Sequence, residues 1–198
     1  MSSNDIIERL IVDASKDPLN PSKNLAIAIE YEKLGQTASA VGFYLRAAEY
    51  GYDEDSLIAY SALLRVSICI DGQKNRDLTV TNVLLQAMAY LPDRAEAYFL
   101  TSRFYEKTQS WQESYTFAAL GQHCLATQGS IRLPVSIAGY DGDYVLQFQL
   151  AISAWWIGRA DESLSILKKL ASRKDLAEIY RLAVNDNIKR IEKPNAAI

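Results

Sequence analysis

The sequence predicts an all-α protein built from consecutive pairs of antiparallel helices. Three observations predict this fold class. Small and aromatic residues recur at the same spacing along the chain, and no segment alternates apolar and polar residues for long enough to indicate a sheet. Apolar residues make up 49% of the 198, with only 9 Gly and 5 Pro. This composition can fill a core and excludes a collagen-like or disordered chain.

The first helix pair is predicted over residues 24–49. Small residues let two antiparallel helices approach closely, and aromatic side chains fill the space beside them. Gly35 lies between the two predicted helices, at a tight turn. The spacing is defined by Ala28, Tyr31, Gly35, Ala40, Tyr44 and Ala47.

Two further copies of this pair occur in the C-terminal half. The copy over residues 95–121 has Gln109 where the first has its turn glycine, whereas the copy over residues 145–170 keeps Gly158 at that place. Both therefore predict a helix, a turn and a second helix. Their remaining spacing residues are Tyr98, Ser102, Tyr105, Trp111, Ser114 and Gly121 in the first and Leu150, Ala151, Ala154, Ser163 and Leu167 in the second.

Two segments depart from the regular spacing. Residues 56–94 form a degenerate copy with Gly72 at a longer turn and with Ala87 and Pro92 closing the unit. Residues 128–142 contain too many helix breakers to continue a helix, so they predict a long loop, and a loop of this length in a helical array is often functional. The breakers are Gly129, Pro134, Gly139 and Gly142.

Extra helices are predicted at both ends of the repeats. Residues 4–16 predict an N-terminal helix with Asn4 as its N-cap and Ile6, Ile7, Leu10 and Ile11 as its apolar side chains. The C-terminal helix is predicted from Leu176, Ile179, Tyr180, Leu182, Ala183, Ile188 and Ile191. Stacked repeats need such caps because the end repeats would otherwise expose an apolar face.

The shared spacing resembles the tetratricopeptide repeat, a two-helix unit of about 34 residues. The resemblance implies a right-handed α-α superhelix of about four helix pairs with capping helices at both ends. It implies a single domain over residues 1–198. Its parts are an N-terminal capping helix over 1–19, repeats over 20–171, a C-terminal capping helix over 172–192 and a loose tail over 193–198.

The C-terminal half also resembles the helical repeat segment that accompanies family 2 glycosyltransferases. The residues that carry this match are Arg94, Glu96, Tyr140, Asp141, Tyr144, Ser153, Trp156, Gly158 and Arg159. The resemblance implies an accessory or scaffold role in a glycan-modifying or viral setting. The chain contains no α/β nucleotide-binding domain, and Asp141-Gly142-Asp143 is interpreted as the start of a helix with Asp143 as N-cap, not as a metal-binding motif.

The first helix of each pair lines the concave face of such arrays, where extended or helical peptides bind. Alignment of the repeats therefore predicts a groove for a partner protein or peptide, formed by Leu25, Ile29, Phe99, Arg103, Phe148, Ile152 and Trp155. The alternative is that a terminal helix folds into the groove and covers these residues.

Trp155 and Trp156 point about 100° apart on a helix, so one is expected to pack between helices and the other to face the groove or the loop.

Charge and composition weigh against other functions. The formal net charge is −3 with no basic run, which disfavours nucleic-acid binding. No apolar run approaches the ~20 residues that span a bilayer, and the N-terminus has no basic segment followed by an apolar stretch. We therefore expect no membrane association and no secretion. Cys69 and Cys124 lie far apart in helical patterns and are expected to be buried, reduced thiols in the cytoplasm.

Catalysis, metals and cofactors are not expected. His123 and Cys124 are adjacent on a predicted helix, where neighbouring side chains diverge, and no third group orients the imidazole. One histidine and two cysteines are too few for a standard zinc site. The leading hypothesis is a non-catalytic scaffold that binds a protein or peptide. The alternatives are an accessory module for glycosyl transfer and a self-assembling structural component, which includes a homo-oligomer.

Overall fold

The computed structural model describes residues 3–125 and 132–192. Over these residues the chain forms ten α-helices and no strand, which confirms the all-α prediction. The helices are α1 (Ser3–Ala14), α2 (Pro21–Lys33), α3 (Thr37–Gly51), α4 (Ser56–Asp71), α5 (Asp77–Tyr90), α6 (Ala95–Lys107), α7 (Trp111–Leu125), α8 (Asp143–Trp156), α9 (Ala160–Ala171) and α10 (Glu178–Glu192).

The helices belong to two compact units. The first runs to Pro92, holds α1 to α5 and takes in the loop residues that end at Ile137. The second begins at Asp93, holds α6 to α10 and takes in the loop from Ala138. Within each unit, every helix packs against the next one along the chain. The single continuous domain over residues 1–198 stays a prediction.

The four predicted helix pairs are all present. They are α2 with α3, α4 with α5, α6 with α7 and α8 with α9, while α1 and α10 are the predicted terminal helices. Residues 132–142 are not helical, as predicted. The rest of the predicted break and the predicted tail over 193–198 lie outside the described residues. The Asn4 cap is wrong, because α1 begins at Ser3 and Asn4 lies inside it.

The turns inside three of the pairs share one hydrogen-bond pattern. Each contains one residue in the left-handed region: Gly35 with φ +71°, Gln109 with φ +59° or Gly158 with φ +81°. The residue after it donates its N–H to the carbonyl five residues back, which satisfies an orphan carbonyl at the helix end. These bonds join Gln36 to Tyr31 at 2.9 Å, Ser110 to Tyr105 at 2.8 Å and Arg159 to Ala154 at 2.9 Å.

The turn of the degenerate pair differs from the prediction. Gly72 was expected to form it, but Gly72 has φ −70° and only caps the end of α4. The left-handed residue is Asn75, with φ 60°. Asparagine tolerates this region better than most residues, because its short side chain can hydrogen-bond locally. Gly72 is therefore free of the backbone constraint that selects glycine at Gly35 and Gly158.

Replacing Gln109 with glycine is expected to stabilise the second unit. A left-handed backbone costs a residue with a Cβ about 1–2 kcal/mol, and glycine loses part of that gain through its freedom in the unfolded chain. We expect Gln109→Gly to raise the free energy of unfolding by about 0.5–1 kcal/mol and Gly158→Ala to lower it by about 1 kcal/mol. Urea denaturation followed by circular dichroism measures both. A lower midpoint for Gln109→Gly would contradict the turn assignment.

A polar cluster joins three helices of the first unit. Glu32 on α2 accepts a hydrogen bond from the Tyr44 hydroxyl on α3 at 2.5 Å and one from the Arg65 Nε on α4 at 3.0 Å. A second guanidinium nitrogen of Arg65 pairs with the other Glu32 oxygen. Burial, followed by the neighbouring Glu32, raises the pKa of the Tyr44 phenol well above its usual 10.0. The phenol is therefore a permanent hydrogen-bond donor at neutral pH.

The core of the second unit combines large apolar side chains with a chain of serines. Apolar residues from α6, α8, α9 and α10 are buried, including Phe99, Leu146, Leu167, Leu170 and Val184. Ser102 on α6 donates to the Ser114 carbonyl at 2.8 Å, and the Ser114 and Ser153 hydroxyls of α7 and α8 lie 2.7 Å apart. Ser102 and Ser114 were predicted as small residues from the repeat spacing, whereas Ser153 was not. The hydroxyls of all three add buried hydrogen bonds.

Candidate functional site

The seven residues of the predicted groove differ in exposure. Leu25 and Phe99 are buried, at 6% and 1% exposed, so the chain itself encloses them. Ile29, Phe148 and Ile152 are half-buried. Arg103 and Trp155 are exposed. In the second unit, a partner can therefore reach Arg103, Ile152 and Trp155 most easily.

The loop explains why Phe99 is buried. Tyr140 places its ring 5.3 Å from the Phe99 ring at an angle of 55°. The Arg103 guanidinium lies over the same Phe99 ring, 5.8 Å from its centroid. Gly139, with φ +79°, runs so close to Arg103 that a Cβ on it would lie 3.0 Å from a guanidinium nitrogen. Gly139 and Tyr140 of the loop therefore lie against α6, and Tyr140 covers Phe99.

The C-terminal helix covers a second predicted residue. The Tyr180 ring of α10 meets the Phe148 ring of α8 edge-on, with centroids 5.3 Å apart. The Tyr180 hydroxyl donates to the Gly139 carbonyl at 3.4 Å, which ties α10 to the loop. The predicted alternative was that a terminal helix covers residues of the groove. At Phe148, Tyr180 of the C-terminal helix α10 makes such a contact.

The two adjacent tryptophans both remain accessible. Trp156 is 58% exposed and stacks on Trp111, with centroids 5.0 Å apart and an interplanar angle of 13°. Trp155 is 38% exposed and turns toward α10. The assignment of one indole to a position between helices and the other to the groove or the loop stays a prediction. Tryptophan is among the side chains most enriched in interface hot spots, so this exposed pair is a candidate binding surface.

A pocket of about 110 Å³ lies beside Trp155, between α8, α9 and α10. Its apolar walls include Ile152 and both indoles, and Asn187 and Arg190 of α10 also line it. Ser163 of α9 lines the pocket too, although its side chain is fully buried. The Ser163 hydroxyl has no hydrogen-bond partner among the residues that the structure describes. The sequence indicated Ser163 only as a small packing residue, and it contained no signal for Asn187 and Arg190 as pocket residues.

The first unit has a pocket of another character. It measures about 180 Å³ and is lined by residues of α1, α2 and α3, including Ile27 and Phe43. Its buried Asn24 amide donates to the carbonyls of Pro18 and Asn20 at 3.0 and 2.9 Å. Because the chain already satisfies this amide, nothing in the pocket requires a ligand for hydrogen bonding.

Residues that carried the glycosyltransferase-associated resemblance make structural contacts. Arg94 and Glu96 form a buried ion pair at the start of α6. Arg159 lies over the Tyr115 ring at 4.6 Å and donates to its hydroxyl at 2.7 Å. Ser153 belongs to the serine chain between helices. These contacts stabilise the second unit and do not require a glycosyltransferase.

Asp143 has a different role from the predicted N-cap. Gly142 occupies the cap position, with φ 141°, and Asp143 is the first residue of α8. The Asp143 carboxylate instead accepts two hydrogen bonds from the Arg173 guanidinium, at 2.7 and 2.8 Å. The hydrogen bonds that the guanidinium donates to the Asp175 and Asp143 carboxylates raise the pKa of Arg173 further above its usual range. Over residues 3–125 and 132–192, no group of three or more His, Cys, Asp and Glu side chains could hold a metal ion.

Both cysteines are in the thiol form, as predicted, although Cys69 is only half-buried. Burial, followed by the charge of Glu32, raises the pKa of Cys69 from 9.0 to about 11, and the Arg65 guanidinium partly opposes the rise. Burial also raises the pKa of Cys124. The neighbouring His123 is exposed and lies in the last turn of α7. A raised thiol pKa opposes nucleophilic reactivity, because the thiolate is the reactive form.

Slow thiol chemistry is the expected result in solution. The pKa rise of Cys69 lowers its thiolate fraction at pH 8 about a hundredfold relative to an unperturbed thiol. We expect a disulfide reagent to modify the folded chain about tenfold more slowly than the urea-unfolded chain, because a thiolate of higher pKa is more nucleophilic and this offsets part of the smaller thiolate fraction. Absorbance of the released thiolate measures the rate, and a Cys124→Ala variant isolates Cys69. Equal rates in the folded and unfolded states would contradict the raised pKa.

No helix in the described part of the chain is both long and apolar enough to cross a membrane.

Comparisons with known proteins show the fold of the chain. No protein-family model matches it, and no curated protein matches it significantly. The crystal structure of MamA aligns with a TM-score of 0.62 and 13% identity, covering 93% of this chain and 89% of that one. TTC0263, a thermophilic TPR protein of Thermus thermophilus, aligns with a TM-score of 0.55 and 14% identity, covering 96% of this chain and 90% of that one. BtubC (BKLC) from P. vanneervenii aligns with a TM-score of 0.65 and 12% identity, covering 99% of this chain and 91% of that one. The chain therefore has a tetratricopeptide-like helical fold.

Proposed function

We propose that this protein is a non-catalytic scaffold in the cytoplasm that binds a protein or peptide partner through the second unit. The exposed tryptophan pair at the end of α8 carries the proposal. The tetratricopeptide-like fold supports it, because helical repeats of this kind present binding surfaces on the first helix of each pair. The proposed surface consists of Ile152, Trp155 and Trp156, with Arg103 farther along on α6.

The surface has the composition of a binding hot spot. Trp155 and Trp156 present two large rings, and Ile152 adds apolar area beside an open pocket. Hot spots combine such aromatic anchors with local pockets, and a few residues supply most of the binding energy. Leu25 and Phe99 stay outside this surface because they are buried. Ile29 is half-buried and belongs to the first unit, so it is not part of the proposed surface.

Truncation of the two indoles is expected to weaken partner binding. Peptides selected on the full chain from a displayed random library supply the ligands, and fluorescence polarisation measures their affinities. We expect Trp155→Ala with Trp156→Ala to raise Kd at least tenfold, because hot-spot truncations cost about 2 kcal/mol or more. Leu120→Ala is the matched control, since Leu120 is 46% exposed on α7 and lies outside the pocket. Peptides that bind the double variant as tightly as the parent chain would refute the surface.

Self-assembly is a second candidate function, favoured by apolar residues at the end of the second unit. Ile179 and Leu182 of α10 are 75% and 63% exposed. A second copy of the chain could cover them, and light scattering over a concentration series tests for a homo-oligomer. A monomer at every concentration would remove this candidate.

The accessory role in glycosyl transfer is tested by titration with nucleotide sugars and a divalent metal, for which we expect no binding by this chain.

A further inference from the structure

The outward face of α5 carries almost no charge. Asp77 is the only charged residue of this 14-residue helix, and it is the first residue. A helix face in water ordinarily carries charged side chains, whereas a helix that is apolar on every side is ordinarily covered. The second helices of the other pairs follow that rule. Their exposed charged residues include Arg46 and Glu49 on α3, Glu113 on α7 and Asp161, Lys168 and Lys169 on α9.

The exposed side chains of α5 form one continuous stripe. Leu78 is 75% exposed and Leu85 is 49% exposed. They are seven positions apart, so they lie on the same side of the helix, with the exposed Asn82 between them. Ala89 is also exposed and continues the stripe by one turn. Leucines spaced by seven residues on one face are typical of helices that pair with another helix.

The two ends of α5 carry opposite charges. The turn before the helix contains the exposed side chains of Lys74 and Arg76. At the other end, Tyr90 stacks on Tyr52, with ring centroids 4.6 Å apart. The three exposed carboxylates that follow Tyr52 belong to Asp53, Glu54 and Asp55. A basic turn at one end and an acidic turn at the other complement a second copy of the same helix that runs antiparallel.

We propose that two copies of this chain form a dimer through α5, with the two helices antiparallel and a two-fold axis at Asn82. The two Asn82 amides face each other, and each donates to the other because an amide has both donor and acceptor groups. Leu78 of one copy packs against Leu85 of the other, and the symmetry repeats this contact. The dimer goes beyond the proposed function, since it lies on the first unit and uses no residue of the tryptophan surface.

A second copy is the occupant that the stripe fits. A two-fold contact requires a self-complementary surface, and the central amide, the flanking leucines and the charged ends meet this requirement together. A single polar asparagine within a leucine stripe also fixes the register of two paired helices. The contact of one helix, about 21 Å long, and two turns is small for an interface. We therefore expect a dissociation constant of about 1–100 µM.

Sedimentation equilibrium tests the dimer. The full chain is measured from about 1 µM to about 500 µM, which brackets the expected dissociation constant. We expect the parent chain to change from monomer to dimer over this range. Leu85→Glu is expected to raise Kd at least about tenfold, because it places two carboxylates in an uncharged contact. Leu45→Glu is the matched control and is expected to leave Kd unchanged, since Leu45 is 47% exposed on α3 of the same unit.

Further variants decide between the possible outcomes. Asn82→Asp is conservative at an exposed position and places two like charges at the axis, so it is also expected to weaken the dimer. Circular dichroism checks that every variant is folded. A parent chain that stays monomeric at the highest concentration, a dimer that survives either folded variant of α5, or equal weakening by Leu45→Glu would overturn the proposal. A dimer that is lost only in Leu182→Glu would assign the contact to α10 instead.

A disulfide tests the orientation of the two helices. With the axis at residue 82, Asn82→Cys brings the thiols of two copies within bonding range. In Ala89→Cys, the two copies of residue 89 are about 21 Å apart along the helix axis. With oxidised glutathione as the electron acceptor, we expect a covalent dimer of Asn82→Cys and none of Ala89→Cys or of the parent chain. A parallel pair would join the copies at both positions, so equal cross-linking at residues 82 and 89 would overturn the antiparallel dimer.

Discussion

Replacing Glu32 with leucine is expected to lower the free energy of unfolding of the first unit by about 2–4 kcal/mol. The variant leaves the Arg65 guanidinium without its carboxylate and the Tyr44 hydroxyl without its acceptor. The side chains of Arg65 and Glu32 are only 16% and 23% exposed, so water replaces the lost contacts poorly. Removing one partner of a buried ion pair is costly because the other charge stays desolvated. Urea denaturation measures the loss.

A compensating variant separates charge burial from packing. In Glu32→Leu, Arg65→Met, Tyr44→Phe all three polar groups are gone, and apolar side chains of similar size replace them. Such replacement is often neutral or stabilising, so we expect the triple variant to regain most of the stability that Glu32→Leu loses. If the triple variant is as unstable as Glu32→Leu, lost packing explains the cost and the ion pair does not.

An exposed ion pair supplies the matched control. Asp186 and Arg190 on α10 lie 2.7 Å apart, but their side chains are 56% and 75% exposed. Exposed pairs contribute about 0–1 kcal/mol, because solvent screens them and the side chains lose entropy. We expect Asp186→Ala to change the free energy of unfolding by less than about 0.5 kcal/mol. A loss comparable to that of Glu32→Leu would show that burial is not the cause.

The helix pairs could be predicted from the sequence because their signals are local. Gly35 and Gly158 mark turns that need a left-handed residue, and Gln109 takes the same conformation at the equivalent position. The Glu32–Arg65 pair could not be predicted. The two residues are 33 positions apart, and a charged residue on a predicted helix is ordinarily on its solvated face. Only the packing of α2 against α4 brings the charges together.

The candidate site was predictable only in part, for a similar reason. Helix periodicity places Ile152 and Trp155 on one face of α8, and both line the pocket. Phe99 was predicted on the corresponding face of α6, but Tyr140 of the loop covers it. A repeat pattern contains no information about where an irregular loop lies. It likewise could not show that Ser163, a small residue at a packing position, leaves its hydroxyl unpaired.

Replacing Gly121 with valine is expected to lower the free energy of unfolding of the second unit by about 3 kcal/mol. A Cβ at this position of α7 would lie 2.9 Å from the Tyr98 Cβ and 2.9 Å from a Leu146 methyl carbon. The Leu146 side chain can rotate, but the Tyr98 Cβ moves only if α6 moves. Overpacking of this kind forces backbone shifts. Thermal and urea unfolding measure the loss.

Gly42 on α3 provides the opposite environment for the same substitution. A Cβ on Gly42 would meet no atom within 4 Å, and Gly42 is exposed. Glycine in a helix interior is destabilising by about 0.5–1 kcal/mol relative to alanine, and valine recovers part of that difference. We therefore expect Gly42→Val to leave the free energy of unfolding within about 0.5 kcal/mol of the parent. The contrast isolates helix approach as the reason for Gly121, because both glycines are helical. If Gly42→Val and Gly121→Val lowered the free energy of unfolding equally, the low helix propensity of valine would explain the loss, and the contact of Gly121 with α6 and α8 would not.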